Sequence, residues 1–213
     1  MSKLNPEGNE IKRIEALKKR CCEYKDNLRS KNLQTVAQNA AMGLQKDNNN
    51  QLILCGEYFS DKHHITWPQL SITDSKGKQA TLQVEAVWLH YLDKADGKPV
   101  TGRWVNLSEI GALFYQQAFQ GYSGDMLAEA WKDDIEGLKK VCVSKGGWPL
   151  GKISDLAFEW RALPRLPICL CYRKQINGGN AWATILFDAS AKYYVAADVA
   201  AIIGKKLADS LMP

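Results

Sequence analysis

Apolar positions repeat at steps of three and four along residues 10–30, where Ile14, Leu17, Cys21, Tyr24 and Leu28 mark one stripe and predict a helix. The same period returns over 33–44, through Leu33, Val36, Ala37, Ala40, Ala41 and Leu44, until the polar run KDNNN at 46–50 predicts a loop. The period then shortens to two. QLILCGEYF (51–59), HITW (64–67) and LSIT (70–73) read as short strands separated by the turns SDKH and DSKGK. Residues 82–95 revert to helix, Ser108 is placed to cap a short helix through Tyr115, and 125–139 carry a helical stripe interrupted only by Asp134. SKGGWPLGK (144–152) predicts a loop. LAFEWRA (156–162), ICLCY (168–172) and WATILFD (182–188) predict strands, with a turn at INGGN, and Asp198 is placed to cap a last helix over 199–211.

Helices, strands, helices, strands and a final helix in that order do not make regular βαβ units. They predict an α+β fold: a mainly antiparallel sheet packed by several helices, with an N-terminal helical segment. The expected organisation is a basic helical segment over 1–32 followed by one α+β domain over 33–213, since no linker or repeat divides the remainder.

Composition narrows the class without naming a reaction. The hydrophobic fraction of 46% and charged fraction of 24% are ordinary for a globular protein able to bury a full core. No apolar run approaches the ~20 residues that span a bilayer. The N-terminal residues show no apolar segment of signal-peptide type, so a cytoplasmic protein is expected and no membrane partner. Of the net charge of +5, much sits in residues 12–31, where eight Lys and Arg face Glu15, Glu23 and Asp26. Interleaved acids and the lack of a stacking platform argue for a solvated face over nucleic-acid binding. Docking on an acidic partner protein stays open.

The familiar chemical signatures are missing: no GxGxxG, GxxxxGK[ST], HExxH or GxSxG is present. The six cysteines include no CxxC, and free thiols are expected in a reducing compartment. Cys169 and Cys171 share a face if ICLCY is a strand, too few thiolates for an iron–sulfur cluster. His63 and His64 are expected at an exposed turn, and adjacent strand positions cannot readily chelate one metal. His90 differs. On the helix 82–95 it lies about 60° beyond Val87, at the edge of the stripe formed by Val84, Val87, Trp88, Tyr91, Leu92 and Ala95. An imidazole there serves either as a ligand or proton shuttle, or as a surface histidine held by a neighbour.

Two further segments stand out. ADGKPVTGRW combines Gly97 and Gly102, which permit positive φ, with the stiff Pro99, and predicts a rigid connector leading to Trp104 and Glu109. In LPRLP, Pro164 and Pro167 exclude helix around Arg165, whose charge needs a partner: Glu159, Asp188 or a ligand anion. Seven Trp and eight Tyr supply flat amphipathic side chains that suit a core and also a pocket for a large planar ligand.

The three segments HYLDKADGKPVTGRWVNLSEIGALFY, LPRLPICLCY and ILFDASAKYYVAADVAAI, in that order, resemble a bacterial and archaeal family known as domain of unknown function 3786, over roughly residues 30–210. Its histidine–tyrosine–leucine turn falls on His90, Tyr91 and Leu92. Its Gly-x-Pro-x-x-Gly loop falls on Gly97, Pro99 and Gly102, followed by Trp104 and Glu109. Its Pro-Arg-x-Pro falls on Pro164, Arg165 and Pro167, and its Phe-Asp-Ala-Ser on Phe187 to Ser190. The chain departs from it at Ile110, Gly111 and Ala112, where the family has Pro-Gly-Gly. Members are typical of anaerobes, and some are fused to a domain like that of corrinoid iron–sulfur proteins. No such segment is expected within these 213 residues. The resemblance implies a neighbourhood of tetrapyrrole metabolism and hence a binding protein for a corrinoid or haem. His90 is then the axial metal ligand, Tyr91, Trp104, Glu109 and Tyr115 are pocket candidates, and Arg165 is a partner for peripheral carboxylates. The alternatives are a small-molecule enzyme with His90 as general base, assisted by Glu109 or Asp188, and an interaction module using the basic N-terminal helix.

Overall fold

The computed structural model describes residues 6–111, 113–151, 153–174 and 179–213, so the turn expected at INGGN lies largely outside the described residues. It is α+β, with two antiparallel sheets rather than one. The chain divides into two compact units, one of residues 1–56 and 61–97, the other of 57–60 and 98–213.

In the first unit, helix α1 (Pro6–Arg29) is followed by α2 (Leu33–Asn39), where Asn32 accepts a hydrogen bond from the Thr35 amide and so caps the first turn. The helix expected over 33–44 therefore stops five residues early. Ala41 takes a positive φ of 51°, and Gly43–Lys46 become strand β1, with Leu44 opposite Leu54 of β2 (Leu52–Tyr58). A strand partner outweighs the helical spacing of these residues. β3 (Asp61–Trp67) and β4 (Ile72–Asp74) complete a four-stranded sheet in sequence order. Because β3 starts three residues before the expected strand, His63 is not an exposed turn residue. It is 7% exposed, with its ring 5.8 Å from that of Trp88.

Helix α3 (Leu82–Lys94), capped by Thr81, buries every residue from Ala86 to Leu92. α1 lies along it. Lys25 pairs with Glu85 at 2.6 Å and Lys31 with Asp93 at 2.7 Å, while Cys21 and Leu28 are buried. The stripe on α1 is only half used, for Ile11 and Ile14 remain 57% and 40% exposed.

The second unit holds a five-stranded sheet in the order β5 (Trp104–Val105), β9 (Trp182–Asp188), β8 (Leu166–Arg173), β7 (Leu156–Leu163) and β6 (Trp148–Pro149). β6 occupies part of the predicted loop 144–152. The LPRLP segment closes the hairpin from β7 to β8, with Pro164 and Arg165 forming the turn between paired Leu163 and Leu166. One sheet face carries the core, through Trp160, Ile168, Leu170, Ile185 and Phe187. Helix α7 (Ala197–Ser210) packs by Gly204, where a Cβ would meet Phe119 at 2.6 Å. Ala196, not Asp198, occupies the cap position of α7, and Asp198 stands in its first turn, where an acid complements the helix dipole.

The helix expected over 125–139 is two. α4 (Gln116–Gln120), a π-helical turn (Gly121–Asp125) and α5 (Met126–Ala130) run on continuously. The chain then breaks, and Asp134 caps α6 (Ile135–Ser144) by accepting from the Gly137 amide at 2.7 Å. The residue that interrupts the stripe is thus the start signal of a new helix. Gln120 donates to the Ala183 carbonyl and accepts from the Thr184 hydroxyl, using its amide as a side-chain extension of the β9 ladder.

The unequal packing of α1 yields a stability contrast. Leu28→Ala should lower unfolding free energy by about 2–5 kcal/mol, whereas Ile14→Ala should change it by less than about 0.5 kcal/mol. Urea denaturation followed by circular dichroism measures both. Equal losses would contradict the packing described.

Candidate functional site

The predicted site residues divide between the two units. His90 and Tyr91 belong to α3 in the first unit; Trp104, Glu109, Tyr115 and Arg165 belong to the second.

His90 is 5% exposed, and its Nδ1 lies 2.8 Å from the phenolic oxygen of Tyr24 on α1, with the two rings edge-on at 5.2 Å. The edge position on the wheel is real, but α1 covers it. A histidine bound at one nitrogen by a fixed neighbour has its ring plane set, as in ligand histidines whose second nitrogen is held by an outer partner. Tyr91 is fully buried and donates to the Ala40 carbonyl at 2.8 Å, tying α3 to the end of α2. The neighbouring Trp88 is also fully buried, and its indole N–H has no hydrogen-bond partner among the described residues. Tyr24 was legible only as a stripe residue of α1; its polar tip was the one sign that it could do more than pack.

In the second unit the loop after α3 is fixed by Asp188. This carboxylate is fully buried and accepts from the amide and hydroxyl of Thr101, the amide of Gly102, and the amide and hydroxyl of Ser190. Tyr194 adds a hydrogen bond to the Lys98 carbonyl. Gly97 and Gly102 have φ of 82° and 71°, as the sequence requires of them. Burial alone raises the Asp188 pKa, yet the hydrogen bonds from Ser190 and Thr101 outweigh it and hold the carboxyl below its ordinary 3.8. The loop thus delivers Trp104 to β5, opposite Asp188, where it packs on the patch formed by Ala157, Cys169 and Cys171.

Glu109 accepts from the Asn106 amide at 3.4 Å and pairs with Arg103 at 3.2 Å, both ion-pair partners being about half exposed or more. It closes the 3-10 turn Leu107–Ile110 that starts after Asn106, in place of the longer helix expected after Ser108. Tyr115 is 46% exposed and accepts a hydrogen bond from Tyr122. Arg165 is half-buried in the β7–β8 turn. A separate polar groove is lined by Asp125, Glu129, Lys132, Asp133 and Asn180, and includes none of the predicted residues. Among the described residues, no three His, Cys, Asp or Glu side chains are grouped to hold a metal ion, and no helix is long and apolar enough to cross a membrane.

The architecture is therefore an α+β protein whose distinctive sequence loops are structural anchors as well as site candidates. The chain belongs to the family described as Domain of unknown function (DUF3786), whose model matches residues 32–210. No curated protein and no solved structure matches it.

Asp188→Ala should lower stability by about 2–4 kcal/mol, because buried donors on Thr101, Gly102 and Ser190 lose their acceptor. The sign with pH follows from the depressed carboxyl. Its stabilisation is complete above the unfolded-state value of about 4 and is lost as pH falls through the lower folded-state value. Asp188→Asn should lack that acid-side loss in a denaturation series from pH 6 to pH 2.5. An identical acid slope in both proteins would contradict the anchoring role.

Proposed function

We propose that this protein binds a planar tetrapyrrole-type cofactor, a corrinoid or haem, with His90 as the axial ligand. The observation that carries the reading is the Nδ1 contact of buried His90 with Tyr24. A ligand imidazole engaged at Nδ1 by a fixed neighbour would present Nε2 to the metal. A tetrapyrrole-bound metal would ask one imidazole of the protein. The bound cofactor would supply the metal chemistry; His90 would hold it, and Tyr24 would hold His90.

This reading gives α1 a role. It covers His90, and all of it lies outside the matched residues 32–210. Cofactor entry then requires α1 to open from α3 and close again, restoring the Tyr24–His90 contact; the Lys25–Glu85 and Lys31–Asp93 pairs and the burial of Cys21 and Leu28 oppose the opening.

Hydroxocobalamin and haemin, each mixed with the protein, should show shifted absorption bands. His90→Ala, checked for folding by circular dichroism, should abolish the shift, and Tyr24→Phe should weaken binding by about 10–100-fold. Replacing Lys25 and Lys31 by alanine should speed the change. Spectra unaltered in both mixtures would refute the proposal.

A further inference from the structure

Strand register sorts the side chains of the five-stranded sheet into two faces, one of which carries the core. On the other, Trp148 of β6 stands opposite Glu159 of β7, Glu159 opposite Cys169 of β8, and Cys169 opposite Leu186 of β9. Opposed residues share a face and every second residue returns to it. Arg161, Arg173 and Trp182 therefore belong to the same face, and so does Trp104 through its pairing with Asp188. Three of the seven tryptophans thus meet on one surface of the second unit.

Trp148 is 74% exposed and Trp182 is 42% exposed, while Trp104 is half-buried and packs down on the small side chains of Ala157, Cys169 and Cys171. A single exposed indole needs no explanation, but three on one sheet face do. With strands about 4.8 Å apart and residues about 3.3 Å apart, their Cα positions mark a triangle with sides of roughly 20 Å. The rings are therefore separate stacking stations and not one aromatic cluster.

Cations stand between and beside them. Arg161 and Arg173 are both exposed, and among the described residues neither is held in an ion pair. The Arg173 guanidinium lies 5.6 Å from the centre of the Trp182 ring, which places a positive charge directly at a stacking face. Against these two arginines the face carries the half-buried Glu159, and the chain as a whole carries +5. A surface that alternates flat rings with positive charge matches a polymer that alternates flat rings with negative charge. An acidic peptide offers the charge without a ring for each station, and a duplex hides its rings in the stack. We propose that this face binds single-stranded nucleic acid, with bases stacked on Trp104, Trp148 and Trp182 and phosphates met by Arg161 and Arg173. His90 belongs to the first unit and takes no part, so this site stands or falls independently of the cofactor reading.

The test titrates the full chain into fluorescein-labelled oligo-dT and oligo-rU of about 16 nucleotides, followed by anisotropy. Both strands should bind more tightly than a duplex of equal length and should quench the tryptophan emission; the tighter of the two identifies the polymer, since they differ at the 2′-hydroxyl. Trp148→Ala and Trp182→Ala should each weaken binding by about 5–100-fold, the loss of one stacked base, and Trp182→Phe should retain most of the affinity. Phe114→Ala, at an aromatic ring 99% exposed outside the sheet, should change nothing. Arg161→Gln and Arg173→Gln should each reduce the slope of log affinity against log salt by about 0.7. Circular dichroism checks each variant, and the quench in the unaltered chain tests the stack if an alanine variant fails to fold. Four results would overturn the site: no binding of either strand, a duplex bound as tightly as the single strands, tryptophan variants that bind like the unaltered chain, or polyglutamate competing as well as oligo-dT, which would make an acidic peptide the partner.

Discussion

A buried carboxylate is tolerable only when its lone pairs are met, and the second unit is organised around that constraint. Asp188 ends β9 and gathers donors from Thr101, Gly102 and Ser190. One side chain thereby pins the connector 98–102, starts the 3-10 turn after β9, and sets β5 on the sheet edge. Trp104 then lies over the two cysteines.

The first unit rests on a different device. α3 buries seven consecutive residues, which a solvent-facing helix cannot do, so it needs cover on more than one side. Trp88 stands beside His63 of the sheet, Tyr91 bonds to the end of α2, and α1 supplies the remaining cover. His90 is buried because α1 is there. The helix that lies outside the family match is the one whose Tyr24 meets the histidine.

Element types were legible where periodicity was long and unopposed: α1, α3, β7, β8, β9 and α7 all follow it. Boundaries failed where a local partner overrode the pattern. Leu44 fits a helical stripe yet pairs with Leu54, and Asp134 reads as a flaw in one helix yet caps the next. The site was legible in part. The wheel placed His90 at a stripe edge, and the prolines and glycines marked both rigid turns. Its partner Tyr24 is 66 residues away in sequence, and the donors to Asp188 are as many as 87 away, so no spacing rule could reveal either. The shared face of Cys169 and Cys171 needed only strand alternation, and the structure carries it.

If His90 ligates the metal of a corrinoid as proposed, its Nε2 is the nitrogen that should respond. Nitrogen-15 NMR of the imidazole ring tests this directly, with the diamagnetic Co(III) form of a corrinoid as the titrant. The His90 Nε2 resonance should move to a metal-bound position while Nδ1 keeps its hydrogen bond to Tyr24. An unmoved Nε2 at saturating corrinoid, or a shift confined to His63 or His64, would contradict it.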